Sequence, residues 1–198
     1  MYPSSIRKLI ESFKNLPGIG EKSAERFAFA MINFDNDKLT DFSSAIIEVR
    51  DNIGRCSICN NISEGSTCYI CNNNSRNKDV IFVVEKSKDV ILFEKLGIFN
   101  GVYHVLDGLI SPLNGINPDD IKIGTLVKRI EDGGITEVIL ALKPNIEGET
   151  TMQYIKKILE NKGVRVSKIA TGIPMGTDIE YIDSMTLEMA LEERKDIS

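Results

Sequence analysis

The N-terminal part of the chain alternates apolar and polar residues with a helical period. Residues 4–14 carry an apolar residue every three or four positions, after serines that can cap a helix. The same spacing returns after a glycine-rich turn and again over residues 37–52. The pattern predicts three amphipathic helices. We expect the apolar stripes of the second and third to form core, namely Ala24, Phe27, Ala28, Met31, Ile32, Leu39, Phe42, Ala45, Ile46 and Val49.

From residue 79 onward, short apolar runs alternate with amphipathic stretches. Residues 80–84 are Val-Ile-Phe-Val-Val, an unbroken run that is typical of a strand buried on both faces. Further strands are predicted at 102–106, 137–142 and 164–169. Helices are predicted from Glu85 to about residue 96, at 122–132, 149–162 and 183–193. This alternation predicts an α/β domain with a mainly parallel sheet.

All four cysteines lie in one short stretch. Cys56 and Cys59 form one Cys-x-x-Cys pair, and Cys68 and Cys71 form a second after eight intervening residues. Two residues between a pair of thiolates allow a tight turn to direct both sulfurs to one point, and two facing turns supply a closed tetrahedral shell. The spacing predicts a structural zinc site. A disulfide pair or a redox-active Cys-x-x-Cys is the alternative.

The turn after the first helix, Leu-Pro-Gly-Ile-Gly, has the signature of a helix-hairpin-helix. Gly18 and Gly20 can bring the backbone close to a surface, Ile19 plugs the hairpin, and free N–H groups open the next helix. Lys22 and Arg26 lie four positions apart on that helix and can grip one phosphate backbone. The pattern predicts a DNA-binding hairpin. The alternative is a glycine-rich connector with solvated cations.

Acidic and amide residues follow two of the predicted strands. Glu85 comes directly after the first strand, and Asn145, Glu147 and Glu149 follow the strand at 137–142. Because functional groups of parallel sheets gather at the carboxyl ends of strands, these residues are candidates for a functional surface. The alternative is a solvated loop that keeps the protein soluble. His104 is mid-strand, and we expect it to be packed or hydrogen-bonded there.

Composition limits the classes of function. The chain has 198 residues, 42% hydrophobic content and a net charge of −5, which argues against indiscriminate nucleic-acid binding. The acid excess lies mainly in residues 79–198, with 14 basic and 20 acidic side chains, whereas residues 1–54 carry 7 and 8. We find no signal-peptide pattern, membrane-spanning run or phosphate-loop motif, so we expect a soluble cytoplasmic protein without nucleotide hydrolysis. Cytoplasmic cysteines stay reduced, which favours metal over disulfide.

The order of these modules resembles the RecR family of bacterial recombination mediators from end to end. The resemblance rests on three stretches: the hairpin at residues 16–29, the segment 103–118 with Tyr-His-Val-Leu and Ser-Pro-Leu, and Pro-Asn-x-Glu-Gly-Glu at 144–149. It implies a division into a helix-hairpin-helix region at 1–53, a zinc module at 54–78, a Toprim domain at 79–175 and a C-terminal segment with a helix at 176–198.

The resemblance also implies a function. RecR-like proteins act with RecO and RecF at gapped DNA in recombinational repair, and they assemble as a ring-like homotetramer whose hole Lys22 and Arg26 would line. Catalytic Toprim relatives hold magnesium with a glutamate, here similar to Glu85, and a later Asp-x-Asp. That later element is Asn145-Ile146-Glu147 in this chain, and a neutral amide weakens a hard-cation site.

We therefore expect a non-catalytic DNA-binding adaptor whose acids, at Glu85, Glu147 and Glu149 with Asn145, meet a basic patch on RecO. The alternative is a magnesium-dependent Toprim nuclease. Two long loops, 108–118 and 171–178, are further candidates for partner contacts. Asp107 departs from the family pattern, in which a small residue is common, and we expect it to add charge near a partner surface.

Overall fold

Three helices form the N-terminal unit, Met1–Ile53, in the computed structural model, which describes residues 2–170, 172–192 and 194. They are α1 (Ser4–Lys14), α2 (Glu21–Ile32) and α3 (Asn36–Asn52), as the apolar periodicity predicts. Asp35 fixes the start of α3 because its carboxylate accepts a hydrogen bond from the backbone N–H of Lys38 at 2.8 Å.

The core of this unit lies between α1 and α2. Ile10, Ala24 and Ala28 are buried there, and the two alanines allow the helices to pack closely. Partly buried side chains surround them: Ile6, Leu9, Phe13 and Ile19.

The expectation of a core face is wrong for α3, which contributes no buried residue. Phe42, Ile46 and Val49 are exposed, as is Ile32 at the end of α2. Phe42, Ile46 and Ile32, together with residues of α1, line an apolar groove of about 720 Å³. Helical spacing predicts which side chains share a face, but it does not determine what covers that face.

The second unit, Gly54–Ser198, is built on a parallel sheet. A two-residue antiparallel pair, β1 (Gly54–Arg55) with β2 (Ile62–Ser63), precedes it. The sheet strands are β3 (Val80–Val84), β4 (Val102–Val105), β5 (Glu137–Ala141) and β6 (Arg165–Lys168). They lie in the order β4-β3-β5-β6, all neighbours parallel, so the predicted strands and their direction are confirmed.

Helices precede, connect and follow these strands. They are α4 (Tyr69–Asn72), α5 (Ser87–Leu96), α6 (Ile123–Glu131), α7 (Ile146–Leu159) and α8 (Ser184–Glu192). None of the helices in the described ranges is long and apolar enough to cross a bilayer. Of the predicted segments, Thr171 at the start of the second loop and Glu193 at the end of the last helix lie outside the described residues.

The buried strands and the four cysteines belong to one hydrophobic cluster. An ion pair between Arg76 and Glu94 joins the segment after the cysteines to α5, and the Tyr103 hydroxyl donates to the same glutamate at 2.8 Å. The cysteine module is therefore part of the same compact unit as the sheet.

His104 on β4 has no exposed surface, which confirms the expectation of a packed strand residue. Its Nε2 lies 2.8 Å from the backbone oxygen of Lys122, while Nδ1 has no hydrogen-bond partner among the described residues. Burial lowers the pKa of His104 to about 4, against a weaker opposing effect of the Lys122 hydrogen bond. The ring is therefore neutral at pH 7, with its proton on Nε2.

This lowered pKa predicts that stability declines in weak acid. Between pH 6.5 and 4 the unfolded chain binds a proton that the folded chain does not, so the free energy of unfolding should fall by up to about 3 kcal/mol over that window. Urea denaturation at pH 7.0 and 5.0 measures the free energy of unfolding at each pH. His104→Gln should flatten the pH dependence relative to wild type. An equal dependence in both proteins would contradict the assignment.

Candidate metal centre and nucleic-acid interface

The four cysteines converge on one point. All are buried, and their Sγ atoms lie within 4.8 Å of one another. Cys59 and Cys68, from different pairs, bring their sulfurs to 3.6 Å. A tetrahedron of sulfurs around zinc at the usual Zn–S distance has S···S separations of about 3.8 Å. The arrangement fits zinc, because soft thiolates in a closed shell suit that ion and leave no open coordination position.

Two equivalent turns place the sulfurs. The backbone N–H of Asn60 donates to the carbonyl of Cys56 at 2.9 Å, and that of Asn72 donates to the carbonyl of Cys68 at 3.0 Å. Asn60 adopts φ 60°, a left-handed conformation that asparagine tolerates better than most residues. The backbone N–H of Cys68 also donates to the Cys56 sulfur at 3.3 Å. Such N–H···S bonds stabilise thiolates, the form that binds metal.

The first turn also covers the edge strand of the sheet. The Val105 N–H donates to the Cys59 carbonyl at 2.8 Å, and the Asn60 side chain donates to the Val105 carbonyl at 2.9 Å. These bonds pair the N–H and C=O groups of Val105, which a neighbouring strand would otherwise pair. The metal ligands and the sheet edge are therefore coupled through these two hydrogen bonds.

Arg55 extends this connection. Its Nη2 donates to both carboxylate oxygens of Asp107, at 2.8 and 2.9 Å, and its Nη1 donates to the Ser87 hydroxyl at 3.0 Å. Asp107, which has φ 63°, donates its own N–H to the Glu85 carbonyl at 2.8 Å. Arg55 therefore compensates the charge that Asp107 adds near the expected partner surface. Sequence reasoning missed this pair, since the residues are 52 positions apart.

The hairpin has the features of a phosphate-binding turn. Gly18 has φ 80°, which favours glycine, and Gly20 is the N-terminal cap of α2 in an extended conformation. A Cβ atom on Gly20 would meet nothing within 4 Å. Neither packing nor backbone strain within the unit therefore requires glycine at position 20, whereas close approach of a ligand to the backbone would.

The charges around the hairpin favour an anion. Lys22 and Arg26 are exposed on α2, and neither forms an ion pair with a described residue. Lys14, by contrast, pairs with Glu21 at 2.6 Å and Glu11 at 3.0 Å, which partly neutralises the acid nearest the turn. The first-turn amides of α2 also lack intrahelical acceptors, as at any helix start.

Glu85 lies at the carboxyl end of β3 and is only 7% exposed. Its two oxygens face Lys86 at 3.1 Å and Lys143 at 3.6 Å. The hydrogen bond with Glu85 raises the pKa of Lys86. The carboxylate thus has two cationic partners already.

Asn145 and Glu147 lie together at the start of α7. The Asn145 oxygen accepts from the Gly148 N–H at 2.8 Å and caps the helix, which is why α7 begins three residues earlier than predicted. Its amide group donates to Glu147 at 3.3 Å. A Cβ on Gly148 would lie 1.9 Å from the Lys143 carbonyl oxygen, so only glycine fits this turn.

Glu147 and Glu149 also have local partners. The Ser111 hydroxyl donates to Glu147 at 2.7 Å, and Lys168 lies 3.5 Å from Glu149. Within the described part of the chain, the cysteines are the only group of three or more metal-ligating side chains that converge. The predicted acidic residues therefore follow strands at one end of the sheet without converging as a group of three within the described ranges.

Comparison with protein families gives matches along most of the chain. A RecR helix-hairpin-helix matches residues 6–50, and a RecR zinc finger domain with four cysteine ligands matches residues 53–73. A Toprim domain matches residues 79–170, and a RecR C-terminal region matches residues 172–195. The zinc finger match agrees with the sulfur geometry, so the chain carries a zinc site formed by its four cysteines.

Loss of zinc should uncover the edge of the sheet. We expect Cys56→Ser, Cys68→Ser and chelator treatment to remove the metal and to cause aggregation or loss of assembly, because zinc binding here contributes directly to folding. Metal content by atomic emission and size by chromatography measure the effect. The control is Ser57→Ala, an exposed position in the same turn. Metal-free protein of unchanged solubility and size would contradict the coupling.

Proposed function

The chain belongs to the RecR family of recombination mediators, and from this premise we propose that it acts as a non-catalytic adaptor at gapped DNA in recombinational repair, together with RecO and RecF. The family supplies the role in DNA repair. The hairpin, the Toprim surface and the apolar groove each support one part of that role.

The hairpin is the observation that carries the proposal. Gly18 and Gly20 have no side chain that would keep a ligand away from the backbone, and the first-turn amides of α2 have no intrahelical acceptor. Lys22 and Arg26 add two cations without an acidic partner in the described residues. Contacts of this kind go to phosphates and not to bases, so they suit DNA of any sequence. Recognition of a gap or of a junction between single and double strands then depends on the shape of the DNA and on partner proteins.

The Toprim surface supports a role without strand cleavage. Magnesium needs several hard oxygen ligands that are free to coordinate it. Here Glu85 faces two lysines, Asn145 caps α7, and Glu147 accepts hydrogen bonds from neighbouring side chains. These residues, with Glu149, are better suited to a protein-binding surface, for which the basic partner is RecO.

Self-association is the second part of the proposal. The apolar groove of the N-terminal unit and the exposed face of α3 suit a second copy of the chain, because an apolar area of this kind is costly to leave in water. In a ring-like homotetramer, Lys22 and Arg26 would line the hole. An acidic protein could then surround a DNA duplex.

We place this activity in the cytoplasm, where thiols stay reduced and able to bind zinc. We divide the chain into residues 1–53, 54–78, 79–175 and 176–198, in the same order as the matched ranges 6–50, 53–73, 79–170 and 172–195.

Removing the two hairpin cations should weaken DNA binding equally for all sequences. A plot of the logarithm of the DNA association constant against the logarithm of salt concentration has a negative slope. We expect Lys22→Ala with Arg26→Ala to make that slope less steep by about 1 for each phosphate that is no longer neutralised. Gly20→Ala should also weaken binding while costing only a few degrees of melting temperature, because its Cβ meets no protein atom and only the preference of the helix cap for glycine over alanine is lost. Lys156→Ala with Lys157→Ala removes the same charge from the exposed surface of α7 and serves as the control. Unchanged affinity in the hairpin variants would exclude the hairpin from the DNA site.

One incubation with gapped DNA and magnesium separates the adaptor from a Toprim nuclease. Retarded mobility of the DNA with intact strands is the expected result. Strand breakage that Glu85→Ala abolishes would identify a magnesium-dependent nuclease and would overturn the non-catalytic proposal.

A further inference from the structure

The loop Ser111–Ile116 exposes an apolar side chain to solvent on a backbone that hydrogen bonds hold in place. Ser111 and Ile116 exchange backbone hydrogen bonds, both at 3.0 Å, and the short 3₁₀ turn Pro112–Asn114 lies between them. Gly115 closes the turn with φ 71°. At its tip, Leu113 is 101% exposed.

Glu147 fastens this loop to the start of α7. Its Oε1 accepts from the Ser111 hydroxyl at 2.7 Å and from the Asn114 amide at 3.4 Å, and that amide also donates to the Ser111 hydroxyl at 2.8 Å. A second attachment lies beside it, where the Ile110 N–H donates to the Thr151 hydroxyl at 2.9 Å. The loop is therefore anchored to α7 at two points.

Leu113 has an apolar neighbour on α7. Ile146 is 76% exposed, and the two side chains line the same cavity of about 550 Å³, together with Ile110, Pro112 and Met185. Single exposed aliphatic side chains are common on protein surfaces, but two on anchored backbone around one cavity form a preorganised contact. The only charged residue among those that line the cavity in the described ranges is Glu147.

We propose that Leu113 and Ile146 form a docking surface for a partner-protein segment that carries an apolar side chain beside lysine or arginine. The apolar side chain enters the cavity. The cation is favoured because Glu147 is the charge described at the cavity and because acids exceed bases in residues 79–198. This inference rests on the proposed function, in which this face of the Toprim domain meets RecO.

Glu147 then has a different role from the one expected from the sequence. Glu147 is a positioning residue, since its hydrogen bonds hold the loop that presents Leu113, and its charge makes the smaller contribution to binding. Glutamine at this position keeps an acceptor oxygen for Ser111 and Asn114, whereas alanine removes it. The two substitutions therefore separate the hydrogen bonds from the charge.

The test measures binding of purified RecO to the full-length protein by calorimetry. Leu113→Ser and Ile146→Ser should each weaken binding about tenfold to a hundredfold, as expected when a buried aliphatic side chain is removed. The matched control is Ile98→Ser, because Ile98 is 77% exposed but lies outside the cavity. Glu147→Ala should weaken binding like Leu113→Ser, whereas Glu147→Gln should stay within a few-fold of wild type.

Hydrogen exchange of the Ser111 and Ile116 amides tests the positioning role without a partner. Glu147→Ala should speed their exchange, while Glu147→Gln and Leu113→Ser should not. Unchanged exchange in Glu147→Ala would overturn the positioning role. A decrease in RecO binding as large in Glu147→Gln as in Glu147→Ala would show that the charge dominates and would also overturn it.

The outcomes distinguish the docking surface from the proposed function. If wild type binds RecO and the two serine variants bind equally well, the docking surface is wrong and the proposed function stands. If wild type does not bind RecO, both the partner assignment and the docking surface are wrong.

Discussion

The hydrogen bonds between the first cysteine turn and β4 are the interaction on which the second unit depends. β4 is at the edge of a parallel sheet, and an uncovered edge strand is a template for aggregation. The Cys59 carbonyl and the Asn60 side chain engage the peptide groups of Val105, and the zinc ligands hold that turn in place. The metal therefore acts on the sheet although its ligands lie outside the sheet strands.

Charge compensation follows a consistent division within the molecule. Around the Toprim domain each acid of interest has a nearby donor or cation: Glu85 has Lys86 and Lys143, and Glu149 has Lys168. At the hairpin, Lys14 forms an ion pair with Glu21, while Lys22 and Arg26 have no acidic partner among the described residues. A chain with an excess of acid can thus keep a locally basic patch, because the local pairing of charges differs from the net charge.

The sequence predicts the parts of this structure that depend on local patterns. Strand and helix positions follow from apolar periodicity, and the metal ligands follow from the Cys-x-x-Cys spacing, because both are set by residues close together in the chain. The pairing of Arg55 with Asp107 and of Ser111 with Glu147 could not be predicted, since each joins segments that only the tertiary fold brings together. The exposed face of α3 could not be predicted for the same reason. The apolar spacing of α3 indicates that one of its faces is suited to burial, but it does not indicate which surface packs against that face.

The position of the cysteines in the chain affects how the protein is made. Cys71, the last zinc ligand, precedes β4 in the sequence, so the ribosome releases the complete metal-binding segment before the strand that it covers. Since domains begin to fold during synthesis, the carbonyl of Cys59 can be in position when Val105 emerges. If zinc is bound before β4 emerges, the sheet edge is covered as soon as it forms.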